Sequence, residues 1–188
     1  MTEPRRATEP RRATEPLFSI RPGQAGDAAV ILSFLDGTME WLVAEGRTDQ
    51  WGDQLASADE RRVARAQEWE KSDGLYMAML DDEPVGALVV GERMPYVPEA
   101  EVPELYVRFL VSDRSRKGQR IGTRLLQHAR GLAEEAGVDQ LRVDCFRGPD
   151  HALVRYYQAQ GFDLDVEFTV DRPDADPWPG QVLVMPLK

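Results

Sequence analysis

Three basic side chains and two glycines lie within seven residues, in the stretch Arg116-Lys117-Gly118-Gln119-Arg120-Ile121-Gly122, with Thr123 following. The apolar run Leu105–Val111 precedes it and an amphipathic segment ending near Gly137 follows it. A strand, a basic glycine-bearing turn and a helix start make an anion site. The first amides of a helix lack intrahelical acceptors, and the helix dipole favours negative charge at the same spot. The ligand this suggests is the pyrophosphate of a nucleotide-like cofactor; the alternative is an ordinary strand–helix connection with solvated charges. Other reactive residues are few. Cys145 is the only cysteine, and neither His128 nor His151 is placed to activate it, so it reads as a small buried residue. No Cys/His spacing suggests a zinc site.

The elements that must position such a turn fit in one domain of 188 residues. The formal net charge is −10, with 33 acidic residues against 23 basic ones. A general nucleic-acid binder needs a basic footprint, which this chain lacks. A small cationic acceptor suits an acidic surface better. No apolar run approaches the ~20 residues that span a bilayer, so no membrane role is expected. Residues 1–16 repeat Thr-Glu-Pro-Arg-Arg-Ala, a unit too short and too polar to build a core. They read as a disordered tail without a signal-peptide pattern, ahead of a single domain over residues 17–188. A lone cysteine fits a cytoplasmic protein.

Periodicity then supplies the elements. Strands are expected at 17–21, 74–80 and 84–90, the last two joined by a tight hairpin at Asp81-Asp82-Glu83. Others are expected at 104–111, 141–146, 162–170 and 181–186, with a turn-rich connection over 173–180. Helical spacing covers 27–46, with Asp27 as a candidate cap and Gly37 as a candidate break. It recurs over 57–71, over 119–136 ahead of the stop Gly137, and from Pro149-Asp150 to Gly161. Helices alternate with strands only in the second half, which predicts a mixed sheet in an α/β (α+β) fold. A right-handed crossover makes strands 104–111 and 141–146 parallel.

These residues resemble the GNAT acetyltransferase superfamily, whose cofactor motif follows a strand ending in an apolar-Val pair. It reads Gln or Arg, two residues, Gly, one residue, then Gly or Ala. Here Leu110-Val111 precede Lys117-Gly118-Gln119-Arg120-Ile121-Gly122, with Lys117 in place of the Arg or Gln and Arg120 in place of the first glycine. Downstream, Tyr157 and Gly161-Phe162 are similar to the family's Tyr, three residues, Gly-Phe ending, and Asp150 stands where the family often has asparagine. Together the two signatures are more specific than either alone. The resemblance implies a mostly antiparallel sheet of six to seven strands flanked by helices, with a splayed parallel pair at the cofactor site. It also implies acetyl-CoA as cofactor, a small-molecule amine as acceptor and direct transfer. The chain would work as a monomer or a homodimer.

The same resemblance assigns roles. Phe109, Leu110, Val111, the turn Arg116 to Thr123 and Asp150 would hold the cofactor. Tyr157 would lie beside the cofactor's sulfur and protonate the thiolate, since a phenol with a pKa near ~10 is a proton donor at neutral pH. Glu104 is the candidate base, or else a solvated carboxylate at the strand entrance. Trp41, Trp51 and Tyr106 are candidates for the acceptor pocket, although the helical pattern around Trp41 suits core packing better. Arg108 would orient an acidic group of the acceptor. Two other readings stay open: an acyl-CoA-binding sensor without catalysis, and an acetyltransferase acting on a protein N-terminus or lysine.

Overall fold

Residues Val85–Val90 are buried without alternation, so the sheet they belong to has two apolar faces, each needing cover. The computed structural model describes residues 16–172 and 175–188; the tail expected over 1–16 therefore lies, apart from Pro16, outside the described residues. The chain runs β1 (Phe18–Pro22), α1 (Asp27–Ala44), α2 (Glu60–Glu70), β2 (Leu75–Leu80), β3 (Glu83–Gly91) and β4 (Glu104–Ser112). It continues with α3 (Ile121–Glu135), β5 (Gln140–Phe146), α4 (Ala152–Ala159), β6 (Asp163–Arg172) and β7 (Ala175–Pro186). The strands form one seven-stranded sheet in the order β1-β2-β3-β4-β5-β7-β6. Only β4 and β5 pair in parallel, as the crossover through α3 requires.

Met77, Ala87, Val89 and Phe109 bury one face against Ile31, Leu35, Ala66 and Trp69 of α1 and α2. Leu88, Val107, Val143, Cys145 and Leu183 bury the other against Ile121, Leu125 and Ala129 of α3 and Val154 of α4. Helix α1 is continuous through Gly37, because the apolar stripe on either side docks as one surface. Its cap comes from elsewhere. Glu70 accepts from the amides of Gly26 and Ala28 at 2.9 and 2.7 Å. Asp27 instead takes Arg21 at 2.8 Å and the Gln24 amide.

Two features open the sheet. β4 and β5 are in register only from Glu104↔Gln140 to Val107↔Val143. β4 also carries a bulge. Val90 pairs with Val107 while Val89 pairs with Phe109, which leaves Arg108 as the extra residue. A bulge bends its strand and increases the local twist. Past it β4 follows β3 while β5 follows β7 along its whole length. The two strands diverge, and a cleft forms between them.

The stretch read as a turn-rich connection turns out to be strand from Ala175 onward. Pro179 pairs with Thr169 of β6 and accepts from the Arg147 amide at 2.9 Å, just beyond the last β5 pair, Phe146↔Gly180. A proline is tolerated where its missing donor is not needed by a ladder.

Candidate active site

A cleft of about 530 Å³ occupies the gap. Its walls are the open edge of β4 from Val107 to Ser112, the turn residues Arg116 to Gly118 and Arg120 to Thr123, the end of β5 from Val143 to Phe146, and Tyr156 and Tyr157 of α4. Trp41, Trp51, Tyr96 and Trp178 complete it with an aromatic wall.

At one end lies the basic turn. Asp113 caps a 3-10 turn, Arg114–Arg116, by accepting from the Ser115 amide at 2.9 Å. Gly118 and Arg120 then both take the left-handed region, at φ 89° and 56°. The chain swings into α3 there with no side-chain cap. The first bond back to the turn runs from the Arg124 amide to the Arg120 carbonyl at 3.0 Å. The amides of Ile121, Gly122 and Thr123 thus find no acceptor among the described residues, and all three residues line the cleft. Gly122 is needed for a second reason. A Cβ there would overlap the Tyr156 hydroxyl, which rests on this first turn. Arg116 is held by Glu83, while the side chains of Lys117 and Arg120 are exposed.

Arg120 therefore occupies a position where a non-glycine residue costs about 1 kcal/mol. Arg120→Gly should relieve that strain, partly offset by glycine's larger unfolded-state entropy. A thermal melt should shift by at most about +3 °C. A clear fall would mean that the side chain holds the turn.

Where β4 and β5 part, the side chains that can move protons gather. Tyr157 is buried, 7% exposed, and packs edge-on against Tyr156 and Phe162. Its hydroxyl has no hydrogen-bond partner among the described residues. Burial, with Cys145, Tyr156 and Asp144 nearby, pushes its pKa well above the ordinary phenol value. Asp144 faces the other side of the sheet, where it accepts from the Tyr106 hydroxyl at 2.6 Å. Burial raises the Asp144 carboxyl, and the hydrogen bond from Tyr106 opposes that rise without cancelling it. Burial and Asp144 also push the Cys145 thiol up to about 12, so it stays protonated.

The expected residues divide. Phe109, Leu110, Val111, Arg116, Lys117, Gly118, Arg120, Ile121, Gly122, Thr123, Tyr157, Trp41, Trp51 and Arg108 line the cleft. Trp41 does so with the Arg114 guanidinium stacked 3.5 Å above its ring, and not as a core residue. Four residues stand elsewhere. Glu104 lies at the paired end of β4 with its carboxylate 3.0 Å from Arg142, which also contacts Asp165 at 3.2 Å. Arg142 is only 2% exposed, so Glu104 is occupied in neutralising a buried cation. Tyr106 is fully buried with Met94, Val97 and Val182 and acts on the cleft only through Asp144. Asp150 pairs with Arg47 at 3.1 Å and accepts from the Ala152 amide, away from the cleft. Gln119 spends its amide on the Arg116 carbonyl at 3.3 Å.

Of the wall residues given no role in the sequence reading, Asp144, Tyr96 and Trp178 bear on the chemistry. Strand alternation marks Asp144, since it shares one face with Gln140 and Arg142 while the other positions of the strand are apolar. Tyr96 and Trp178 come from segments distant in sequence. Trp178 donates to the Gln50 carbonyl at 3.2 Å, and Arg172 reaches the Asp49 carbonyl at 3.3 Å. The β6–β7 hairpin thereby roofs the loop after α1.

A family model described as Acetyltransferase (GNAT) family matches residues 38–162. No curated protein matches the sequence. Among solved structures, a GCN5-related N-acetyltransferase from Rhodopseudomonas palustris is 21% identical, with a TM-score of 0.64 over 94% of this chain and 99% of that one. An N-acetyltransferase from Staphylococcus aureus Mu50 is 18% identical, with a TM-score of 0.65 over 92% and 99%. The protein yncA from Salmonella typhimurium, solved with its cofactor acetyl-CoA, is 14% identical, with a TM-score of 0.61 over 91% and 94%.

Proposed function

We propose, from the premise that this chain belongs to the acetyltransferase (GNAT) family, that it transfers an acetyl group from acetyl-CoA directly to the amine of a small molecule in the cytoplasm. The observation that carries this reading is the gap between β4 and β5, lined both by three α3 amides that have no acceptor among the described residues and by Tyr157. The residues present fit the cofactor. Unpaired helix-start amides suit a pyrophosphate, and Gly122 lets the Tyr156 hydroxyl rest against the same first turn. Lys117 adds a point charge on a flexible stem and Arg120 a guanidinium fork, both exposed beside those amides.

Bound acetyl-CoA would supply the thioester carbon to be attacked and a thiolate leaving group. The protein's part is to place and move protons. Asp144 receives the proton of an incoming ammonium, for which a carboxyl raised above its ordinary value is better suited than a solvated one. Tyr157 holds a proton on the opposite face for the departing sulfur. The edge of β4 beyond Val107, unpaired on the β5 side, offers N–H donors to a carbonyl oxygen. The roof made by Trp178 over Gln50 favours a small acceptor over a peptide, since an extended chain needs an open groove.

Thiol release from acetyl-CoA with a panel of small amines tests this. Release that depends on the amine, with a mass gain of one acetyl group on it, is the expected result. Tight CoA binding without release for any amine would leave a sensor instead.

A further inference from the structure

Arg108 is the one bulged residue of β4, and its situation is unusual for a cation. Its Nε is buried and has no hydrogen-bond partner. Among the described residues it makes no ion pair, although it lines the same cleft as Asp144. The bulge explains where it points. Phe109 packs on the face covered by α1 and α2, and Tyr106, on the other side of the bulge, lies on that same face among Met94, Val97 and Val182. The extra residue at 108 lies on that side with them. Its stem runs beside Gly91, where a Cβ would sit 3.4 Å from its Cδ. The guanidinium is close enough to Tyr96 to act on that phenol, as are Asp144 and the exposed Arg65. Asp144, on the same face, is engaged by Tyr106 and not by Arg108. A guanidinium and a carboxyl group therefore line one aromatic-walled cleft without pairing with each other.

We infer that the acceptor is an amino-acid-like zwitterion, whose carboxylate is taken by Arg108 while its amine lies against Asp144. This deepens the reading of the cleft as an amine acetylation site and rests on it. Leaving a buried donor unpaired costs about 1–3 kcal/mol, more when it is charged, and a carboxylate removes that cost. The planar guanidinium fork matches a carboxylate in two parallel bonds, which a lysine cannot reproduce. A simple cationic amine would leave Arg108 unpaired and add a second positive charge beside it. A carboxylic acid without an amine has nothing to acetylate. Only a ligand with both groups complements both residues, and the Trp178 roof limits its length.

The test uses the full chain, acetyl-CoA and matched triplets: an amino acid, its methyl ester and the corresponding decarboxylated amine. Sites built to pair a polar group reject analogues lacking it strongly, so kcat/KM for one amino acid should exceed that for its ester and amine by about 100-fold or more. Arg108→Gln should remove most of that preference, lowering the amino acid's kcat/KM by about 30-fold or more. The ester and the amine should move less than about threefold, and Arg108→Lys should recover only part of the loss. A far-ultraviolet spectrum and melt identical to wild type keep the variant interpretable. Preference for the ester or amine in the wild type would overturn the inference while leaving the acetyltransferase reading intact. So would an unchanged ratio in a folded Arg108→Gln protein. If no triplet releases thiol, the acetyltransferase reading fails separately. Calorimetric titration of the CoA-saturated protein then decides the inference. Heat with the amino acids and none with their esters supports it, and equal heats or none overturn it.

Discussion

A Tyr157→Phe variant should turn over about 10²- to 10³-fold more slowly than wild type while binding CoA within about threefold of it. The substitution removes one hydroxyl and keeps the ring that packs between Tyr156 and Phe162. Because that hydroxyl is bonded to nothing among the described residues, its loss strands no protein partner, and the melting temperature should hardly move. A structural tyrosine would behave the other way, losing stability before rate. The sharper test varies the leaving group. A thiolate of low pKa departs without a proton, so the deficit should shrink when acetyl-CoA is replaced by an acetyl thioester of a more acidic thiol. A deficit independent of the thiol would remove Tyr157 as the acid. Burial keeps the phenol protonated well past its ordinary range, so the variant and the wild type should differ by a constant factor through neutral and mildly alkaline pH.

The order of strands and helices, the parallel pair and the basic turn could be read from the sequence because each has a local cause. Two-residue alternation, a left-handed stop at Gly137 and a basic run before a helix all act over short distances. Arg120 illustrates how a departure from a family pattern can be absorbed. The position does require positive φ, and the arginine adopts it at 56°, at a cost that one domain can bear. What escaped was decided by contacts between distant segments. Glu104 looked available because no cation lies within three residues of it in sequence; its partner Arg142 arrives through the β4–β5 pairing. Tyr106 looked like a pocket wall, but the strand's alternation turns it inward to hold Asp144. Trp178 lay in a proline-bearing stretch with no periodic signal, and it reaches Gln50 only because β6 and β7 extend as a long hairpin. The bulge at Arg108 has no sequence signature at all, since it arises from the mismatch between the β3 and β4 registers.

Asp144→Asn should lower kcat/KM at neutral pH by about 10²- to 10⁴-fold and at the same time make the protein more stable. The two effects have one origin. Burial raises the Asp144 carboxyl in the folded state, so between the ordinary carboxylate value and the folded one the native protein binds the extra proton and the unfolded chain does not. Stability contributed by this group is therefore present at low pH and is lost as pH rises through that window. Above the ordinary carboxylate value the buried acid weighs against folding, and an uncharged amide, which can still accept from Tyr106, removes that burden. Melting curves should show Asp144→Asn above wild type at pH 7, with the gap closing on acidification. Activity should follow the converse course. Wild-type kcat/KM gains an acid limb that begins above the ordinary carboxylate range, and the variant loses that limb. Raising the pH supplies amine that is already neutral, so the variant's deficit should narrow toward alkaline pH. A purely positioning role would leave the deficit constant with pH. Tyr106→Phe provides an independent check through the same residue. Its hydroxyl stabilises the Asp144 anion, so removing it should shift the acid limb to higher pH without abolishing turnover; an unmoved limb would mean that another group receives the amine's proton.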